Sequence, residues 1–398
     1  MFQGQRAQSD NGWTGYGGPW PYTILKEPEL SYHLERLSVH RTVCDVDVVS
    51  FQPYPALDHN QDRYFIEDWI VRGQTWRFFS LFDGHSDSYA VEHAVRQLPS
   101  AIKQSLAYKA ETGQTSNPVE IETLLRRSIS TFDNEMTQEL LDLFPGGVEA
   151  IAEMSDDEIR ALVVVDSRPH PVVARCMGGT TALVALVDPA RNLYVASLGD
   201  CVACEDSNGE QWTTTILSSN HNASDVQEAQ RVRSEHPGEM ESVVNNRVCG
   251  VIAVTRAIGD HAFKLPMAYA DRVFRLADPG AYILKRLDVL RPRHHTPPYL
   301  SNTPDVQHIS LSAFSSHETV LILATDGLVD ISKAHEKALS DVAPHWVSAA
   351  SRSMDNKPAL RLLRAAMGGE DTKQVSFWLT VEMDVPWVDD TTILVTRV

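Results

Sequence analysis

An α+β domain is the fold class that this sequence predicts, and three observations predict it. Apolar runs of strand length alternate with longer stretches of helical periodicity, and several of those runs stop abruptly at an aspartate. No internal repeat or long Gly/Ser linker divides the chain, so one elaborated domain is the economical reading.

The elements follow in order. Arg77–Phe82 is an aromatic run of strand character, ended by Asp83-Gly84-His85-Ser86-Asp87. Tyr89, Val91, Ala94 and Val95, continued by Leu98 and Ile102, recur with the spacing of one helix face. A second helix is predicted after Pro118, where Ile121, Leu124, Leu125, Ile129 and Phe132 repeat and Leu140, Leu141 and Leu143 extend the pattern. Thr180–Val187 and Asn192–Leu198 read as two strands joined by the turn Asp188-Pro189-Ala190-Arg191. Asp225–Glu235 has helical pattern, Gly250–Val254 reads as a strand, and two more strands are predicted at Val320–Ala324 and Thr392–Val395. The Gly-, Gln-, Trp- and Pro-rich stretch from Met1 to about Pro28 has neither the apolar core of a secretory signal nor the Arg-rich look of a mitochondrial presequence. It is expected to be a partly ordered arm.

Composition excludes several classes. A chain of 398 residues with 43% hydrophobic residues can bury a large core, and none of its apolar runs approaches the roughly 20 residues of a membrane-spanning helix. Acids number 53 against 35 Lys+Arg, a formal net charge of −18, which argues against a nucleic-acid binder that needs a basic footprint. Five cysteines in this length make no disulfide framework and read as reduced thiols of an intracellular protein, the cytoplasm being favoured. Cys201 and Cys204, a lone Cys-x-x-Cys, are expected to be buried strand residues rather than zinc ligands.

The informative acids are those at strand ends. Asp83 follows Phe78–Phe82, Asp200 follows Tyr194–Leu198, Asp326 follows Leu321–Thr325, and Asp389 and Asp390 precede Thr391–Val395. Aspartate is also a common turn and cap residue, which alone accounts for many such positions. Four sites of this kind, two of them followed by glycine, point instead to carboxylates at the rim of a core, where desolvation is costly unless a cation compensates. Oxygen donors suit Mg²⁺ and Mn²⁺. The pattern alone assigns that centre no reaction.

Six short motifs then carry a family resemblance. Asp83-Gly84-His85, Gly178-Gly179-Thr180-Thr181-Ala182, Leu198-Gly199-Asp200, Thr255-Arg256-Ala257-Ile258-Gly259-Asp260, Ala324-Thr325-Asp326-Gly327-Leu328-Val329-Asp330 and Asp389-Asp390-Thr391-Thr392 come in the order seen in the metal-dependent protein serine/threonine phosphatases (PPM, type 2C). The resemblance runs from about Thr42 to the C-terminus. Leu217-Ser218-Ser219-Asn220-His221-Asn222-Ala223, Glu235-His236-Pro237, Phe263-Lys264 and Pro297-Pro298-Tyr299-Leu300 look most like the pyruvate dehydrogenase phosphatase branch.

The resemblance implies a four-layer α-β-β-α sandwich of two central antiparallel sheets flanked by helices, with residues 1–40 as the arm and 41–398 as the phosphatase domain. It also implies two Mn²⁺ or Mg²⁺ ions. By motif, Asp83 bridges both, Gly84 offers its carbonyl, Asp326 and Asp389 complete the first ion's carboxylates, and Asp62 lies near the second. Asp200 and Asp330 match positions linked with a third, weaker metal, and His85 matches the proposed general acid. Two cations would neutralise a phosphate monoester and lower the pKa of a bound water, whose hydroxide attacks phosphorus in line. A protonated imidazole then serves the poor serine alkoxide leaving group. The expected partner is a phosphoprotein substrate, with no nucleic acid and no membrane, and the chain is expected to be a monomer. The branch resemblance raises mitochondria as a compartment.

Departures from the pattern keep alternatives in view. Gln61 stands where an acid is common, the Arg expected to clamp phosphate is missing from Ala56-Leu57-Asp58-His59, and Arg63 or His59 is the available substitute. Ser86-Asp87 replaces two glycines, and Asp87 is placed to cap the next helix. A phosphatase-like binding module with weak or no turnover is the alternative reading, and a two-metal nuclease sits badly with the net charge. Residues from about Ser218 to Gly250 are the flap by resemblance, or equally a solvated surface excursion. Leu276–Pro304, with Arg291, Arg293, His294 and His295, reads as a plain loop or as a basic docking surface.

Overall fold

The computed structural model describes residues 5–9, 18–55, 60–115, 117–206, 214–311, 319–332, 338–351 and 357–398. The chain divides into two compact units, one of residues 1–62, 202–217 and 311–398, the other of residues 63–201 and 218–310. Both are α+β, as the sequence predicts.

The first unit is built on a six-stranded antiparallel sheet in the order Thr214–Ile216, Val202–Asp206, Val320–Ala324, Thr391–Arg397, Val46–Phe51, Ser38–Val43. Val320–Ala324 is buried at every position, which is why it reads as an unbroken apolar run rather than an alternating one. The helices Glu29–Leu37, Leu339–Ser351, Pro358–Ala366 and Thr372–Thr380 bring Leu30, Trp346, Leu362, Leu363 and Phe377 into the same core as Val49, Phe51 and Ile322. Strand residue Asp47 accepts the Ala359 backbone N–H at 2.8 Å, so a buried carboxylate satisfies one free amide at the start of Pro358–Ala366. The N-terminal strands Gln5–Ser9 and Trp20–Ile24 pair antiparallel, and Trp20 and Tyr22 enter this core. The Leu25 N–H donates to Ser376 Oγ at 2.9 Å, which ties the segment to helix Thr372–Thr380.

The second unit holds a five-stranded antiparallel sheet in the order Asp305–Ser310, Asn192–Leu198, Ala182–Val187, Gln74–Phe82, Arg63–Val71. The helix Tyr89–Glu111 buries Val91, Ala94, Leu98, Ile102 and Leu106 against Ile121, Leu125, Ile129 and Met136 of Pro118–Asp142. Tyr89, placed on the buried face by the sequence pattern, is instead 47% exposed, because it begins the helix and its ring falls beyond the core. A second cluster gathers Ile159, Val173, Val232, Phe263, Phe274 and Leu290.

Two further expectations change here. Gly250–Val254 is not a strand. Cys249 and Gly250 take left-handed φ of 49° and 70°, the Gly250 and Val251 amides fold back onto Arg247 and Val248, and only isolated bridges remain. The stretch after Leu276 is not a plain loop but a string of short helical turns, Tyr282–Arg286, Leu287–Leu290 and Arg291–Arg293. Its basic residues are used internally, Arg291 on Asp271 at 2.6 Å and Arg293 on Glu241 at 2.9 Å. No described helix is long and apolar enough to cross a membrane.

Candidate functional site

The predicted site residues fall into two groups, one in each unit. In the first unit Thr325, between Val320–Ala324 and Asp326–Ile331, organises the acids. Its hydroxyl donates to Asp62 Oδ2 at 3.0 Å and accepts the Thr392 N–H at 2.9 Å. Asp390 accepts the Gln61 N–H at 2.5 Å and Gln52 Nε2 at 2.9 Å, while the carboxylate of Asp389 accepts the Asp390 N–H at 2.9 Å. Gly327 explains why glycine follows Asp326. A Cβ there would stand 2.3 Å from Thr391 Oγ1 and 2.4 Å from the Asp390 carbonyl oxygen, so only glycine lets this helix start against residues 390–391. Asp326 is thereby half-buried, and Asp330, one helical turn on, is exposed.

Burial pushes the Asp62 carboxyl up to about 8, and the neighbouring Asp390 and Asp389 charges push in the same direction against the Thr392 and Thr325 hydrogen bonds. Crowded carboxylates with only oxygen donors suit a hard divalent cation, whose charge would offset both the burial and the repulsion that push the Asp62 pKa up. Asp390 is the residue that the sequence reading passed over in favour of Asp389. It is the buried member of the pair, and Asp389 is exposed. Among the described residues no group of three or more His, Cys, Asp and Glu side chains forms a ready-made metal cage, so the fit lies in the donor chemistry.

In the second unit Asp83 ends strand Gln74–Phe82. Its N–H donates to Thr181 Oγ1 at 3.0 Å, and its carbonyl oxygen accepts Thr180 Oγ1 and the Thr181 N–H, each at 2.9 Å. Gly84–His85, Gly179–Thr180 and Ile258–Gly259 then form a small antiparallel sheet, with Gly179 opposite both His85 and Gly259. That sheet sets His85 Nε2 2.7 Å from Asp260 Oδ2. Gly179 lies beneath the pair, since a Cβ at this position would come within 2.0 Å of Asp260 Oδ2 and 2.7 Å of His85 Nε2. Burial opposes a charge on His85, but the Asp260 carboxylate outweighs it and the imidazole pKa is raised.

Asp260 is positioned from behind. Its N–H bonds the Gly178 carbonyl at 2.8 Å, and the adjacent Gly259 N–H bonds Asp133 Oδ1 at 2.7 Å. Asp133 is fully buried and also accepts Lys264 Nζ at 2.7 Å and Asn302 Nδ2 at 3.0 Å. Neither Asp260 nor Asp133 was given a role from the sequence. Only the Gly259-Asp260 dipeptide, whose residues both take positive φ, could have signalled one. Asp200 receives Asn222 Nδ2 at 2.8 Å, and burial raises its pKa. Asp87, pushed up to about 6 mainly by burial, accepts the Tyr89 N–H at 2.9 Å. Ser88 is the N-cap and its side chain makes no cap bond, so Asp87 holds the first helical amide from one residue before the cap rather than capping the helix as expected.

Of the two substitutes considered for a phosphate clamp, Arg63 gives its Nε to Glu92 at 2.7 Å, and His59 lies outside the described residues. Cys201 and Cys204 are both buried, at 3% and 0% exposure.

This fold and this set of residues define a class. The family model "Protein phosphatase 2C" matches residues 59–372, and the chain belongs to that family. Among curated relatives, pyruvate dehydrogenase (acetyl-transferring) phosphatase 1, mitochondrial, of Homo sapiens is 30% identical over 351 residues, covering 78% of this chain and 63% of its own length. Protein phosphatase 2C homolog C10F6.17c of Schizosaccharomyces pombe is 24% identical over 346 residues, covering 80% of this chain and 73% of its own. The chain thus spans just under two thirds of the length of the human relative. A solved structure described as a C. elegans sex determining protein shares the fold, with a TM-score of 0.51 and 19% identity, over 88% of this chain and 64% of its own.

Proposed function

We propose that the chain is a metal-dependent protein serine/threonine phosphatase that hydrolyses phosphoserine and phosphothreonine, with His85 as general acid. The hydrogen-bonded His85–Asp260 pair carries this reading, because it keeps a proton on an imidazole that burial alone would discharge. By the family motifs, Asp62, Asp326 and Asp389 of the first unit and Asp83 and Gly84 of the second are the residues that would hold two Mn²⁺ or Mg²⁺ ions, and Asp200 and Asp330 those that would serve a third. Asp390 holds the Gln61 backbone that leads into Asp62. When bound, the divalent ions supply the positive charge that offsets the phosphate dianion and make the attacking water more acidic. With Nε2 engaged by Asp260, Nδ1 is the His85 atom that would give its proton to the leaving serine oxygen as the P–O bond breaks. Gly179 and the Asp133-anchored Gly259 amide hold Asp260 where this is possible.

Residues 41–398 act as the phosphatase domain and 1–40 as an arm on it, and the protein works as a monomer on phosphoprotein substrates. The relatives' names supply the first substrate to try, a phosphorylated pyruvate dehydrogenase, and mitochondria as the compartment in which to look. The test is hydrolysis of phosphoserine peptides by purified protein with Mn²⁺ or Mg²⁺, before and after chelation. Metal-dependent turnover supports the proposal, and its absence at ample metal leaves a binding module instead.

A further inference from the structure

On the second unit, the start of helix Tyr89–Glu111 and the hairpin Val164–Val165/Arg168–Pro169 enclose a groove of about 800 Å³. Asp166 and Ser167 form the hairpin's two-residue turn, both with positive φ, the geometry that twists two strands tightly together. Val165 and Arg168 are cross-strand partners and therefore stand side by side. The groove has an apolar edge, Tyr89 and Val165, each 47% exposed although neither packs in the core. Its polar side carries three arginines, Arg96, Arg168 and Arg175, against two carboxylates, Glu92 and the turn residue Asp166. The Arg96 side chain is 71% exposed, and Arg168 is exposed with no ion-pair partner among the described residues. The lining carboxylate of Glu92 is already shared between Arg63 and Arg96 at 2.7 Å each.

On a chain with 53 acids against 35 Lys+Arg, exposed arginines gathered beside exposed apolar side chains are a local departure from the overall charge. We propose that this groove docks an acidic segment of the phosphoprotein substrate, with an apolar side chain against Tyr89 and Val165 and carboxylates on Arg168 and Arg96. The proposal rests on the phosphatase reading for its choice of occupant. Ser88, which lines the groove, is only three residues after His85, so at most about 10 Å of backbone separates them. An extended substrate advances about 3.3 Å per residue, which places the docked acids about three or more positions from the phosphorylated serine. The groove therefore selects by sequence context, while the phosphate itself is handled elsewhere.

The test uses fluorescein-labelled phosphoserine peptides with three glutamates and one leucine three to six positions away, on either side, and the same peptides with glutamine for glutamate. Binding is read by anisotropy, and turnover is read in parallel with p-nitrophenyl phosphate as the small substrate. In one register the glutamate peptide should bind at least tenfold more tightly than its glutamine twin, and raising salt should shrink the difference. Arg168→Glu combined with Val165→Asp should abolish that preference while leaving p-nitrophenyl phosphate hydrolysis unchanged. Equal binding of the two peptides, or a variant that keeps the preference, overturns the proposal. Preferential binding without turnover of any substrate would keep the groove and overturn the phosphatase reading instead.

Discussion

His85 Nε2 and Asp260 Oδ2 stand 2.7 Å apart over the bare α-carbon of Gly179, so an imidazole–carboxylate pair forms between residues 175 positions apart in the chain. Each element of that geometry has a local cause. A three-stranded sheet aligns the backbones, Gly179 leaves room for both side chains, and Asp133 fixes the neighbouring Gly259 amide.

If the pair acts as one acid, its members fail together. Asp260→Ala and His85→Ala should each lower kcat on a phosphoserine peptide by about 10²-fold, with a much smaller loss on p-nitrophenyl phosphate, whose leaving group needs no proton. The double variant should be no worse than either single one. Additive losses, or equal losses on both substrates, would show that Asp260 does not act through His85.

The Lys264–Asp133 pair behind Asp260 is a stability element. Lys264 is 7% and Asp133 1% exposed at the side chain, and Asp133 is held below the usual carboxylate range because Lys264, His261 and hydrogen bonds outweigh burial. Lys264→Met strands a buried carboxylate and should cost about 3–5 kcal/mol in urea unfolding. Adding Asp133→Asn should restore part of that loss. An unchanged urea midpoint for Lys264→Met would show that the pair contributes little.

Much of this was legible from residues alone, and the misses share a cause. Strands such as Asn192–Leu198 and Val320–Ala324 matched their apolar runs residue for residue, because a strand buried at nearly every position leaves a continuous apolar signature. Asp83, Asp200 and Asp326 could be picked out because each interrupts such a run. Asp260 and Asp133 interrupt nothing, and their roles come from pairing across long stretches of chain, which no local pattern encodes. Gly250–Val254 has the composition of a strand, but two consecutive left-handed residues turn the chain before a ladder can form. Tyr89 has the periodicity of its helix but starts it, so it lies outside the core and on the rim of the Arg168 groove.

Acid should weaken the second unit through Glu228. Despite burial, hydrogen bonds and charge from Arg256, Arg231 and Thr255 pull its pKa down to about 2. A folded-state pKa below the unfolded value of about 4.3 means that the carboxylate's stabilisation is fully present above about pH 4.5. It is lost progressively as pH falls from there through 2. In urea melts run between pH 5 and 2.5, Glu228→Gln should start less stable and show a shallower decline than the natural chain. Parallel declines would remove Glu228 from the acid response.

Asp326 carries the central claim, since it begins the helix that the bare α-carbon of Gly327 lets approach residues 390–391. The deciding measurement is Mn²⁺ titration of phosphoserine-peptide hydrolysis for the natural chain and for Asp326→Asn, with unfolding followed on the same samples. The natural chain should reach Mn²⁺-dependent turnover, and Asp326→Asn should lose at least about 10²-fold at saturating metal with its unfolding midpoint little changed. Near-normal turnover by a folded Asp326→Asn protein would contradict the metal-dependent phosphatase reading.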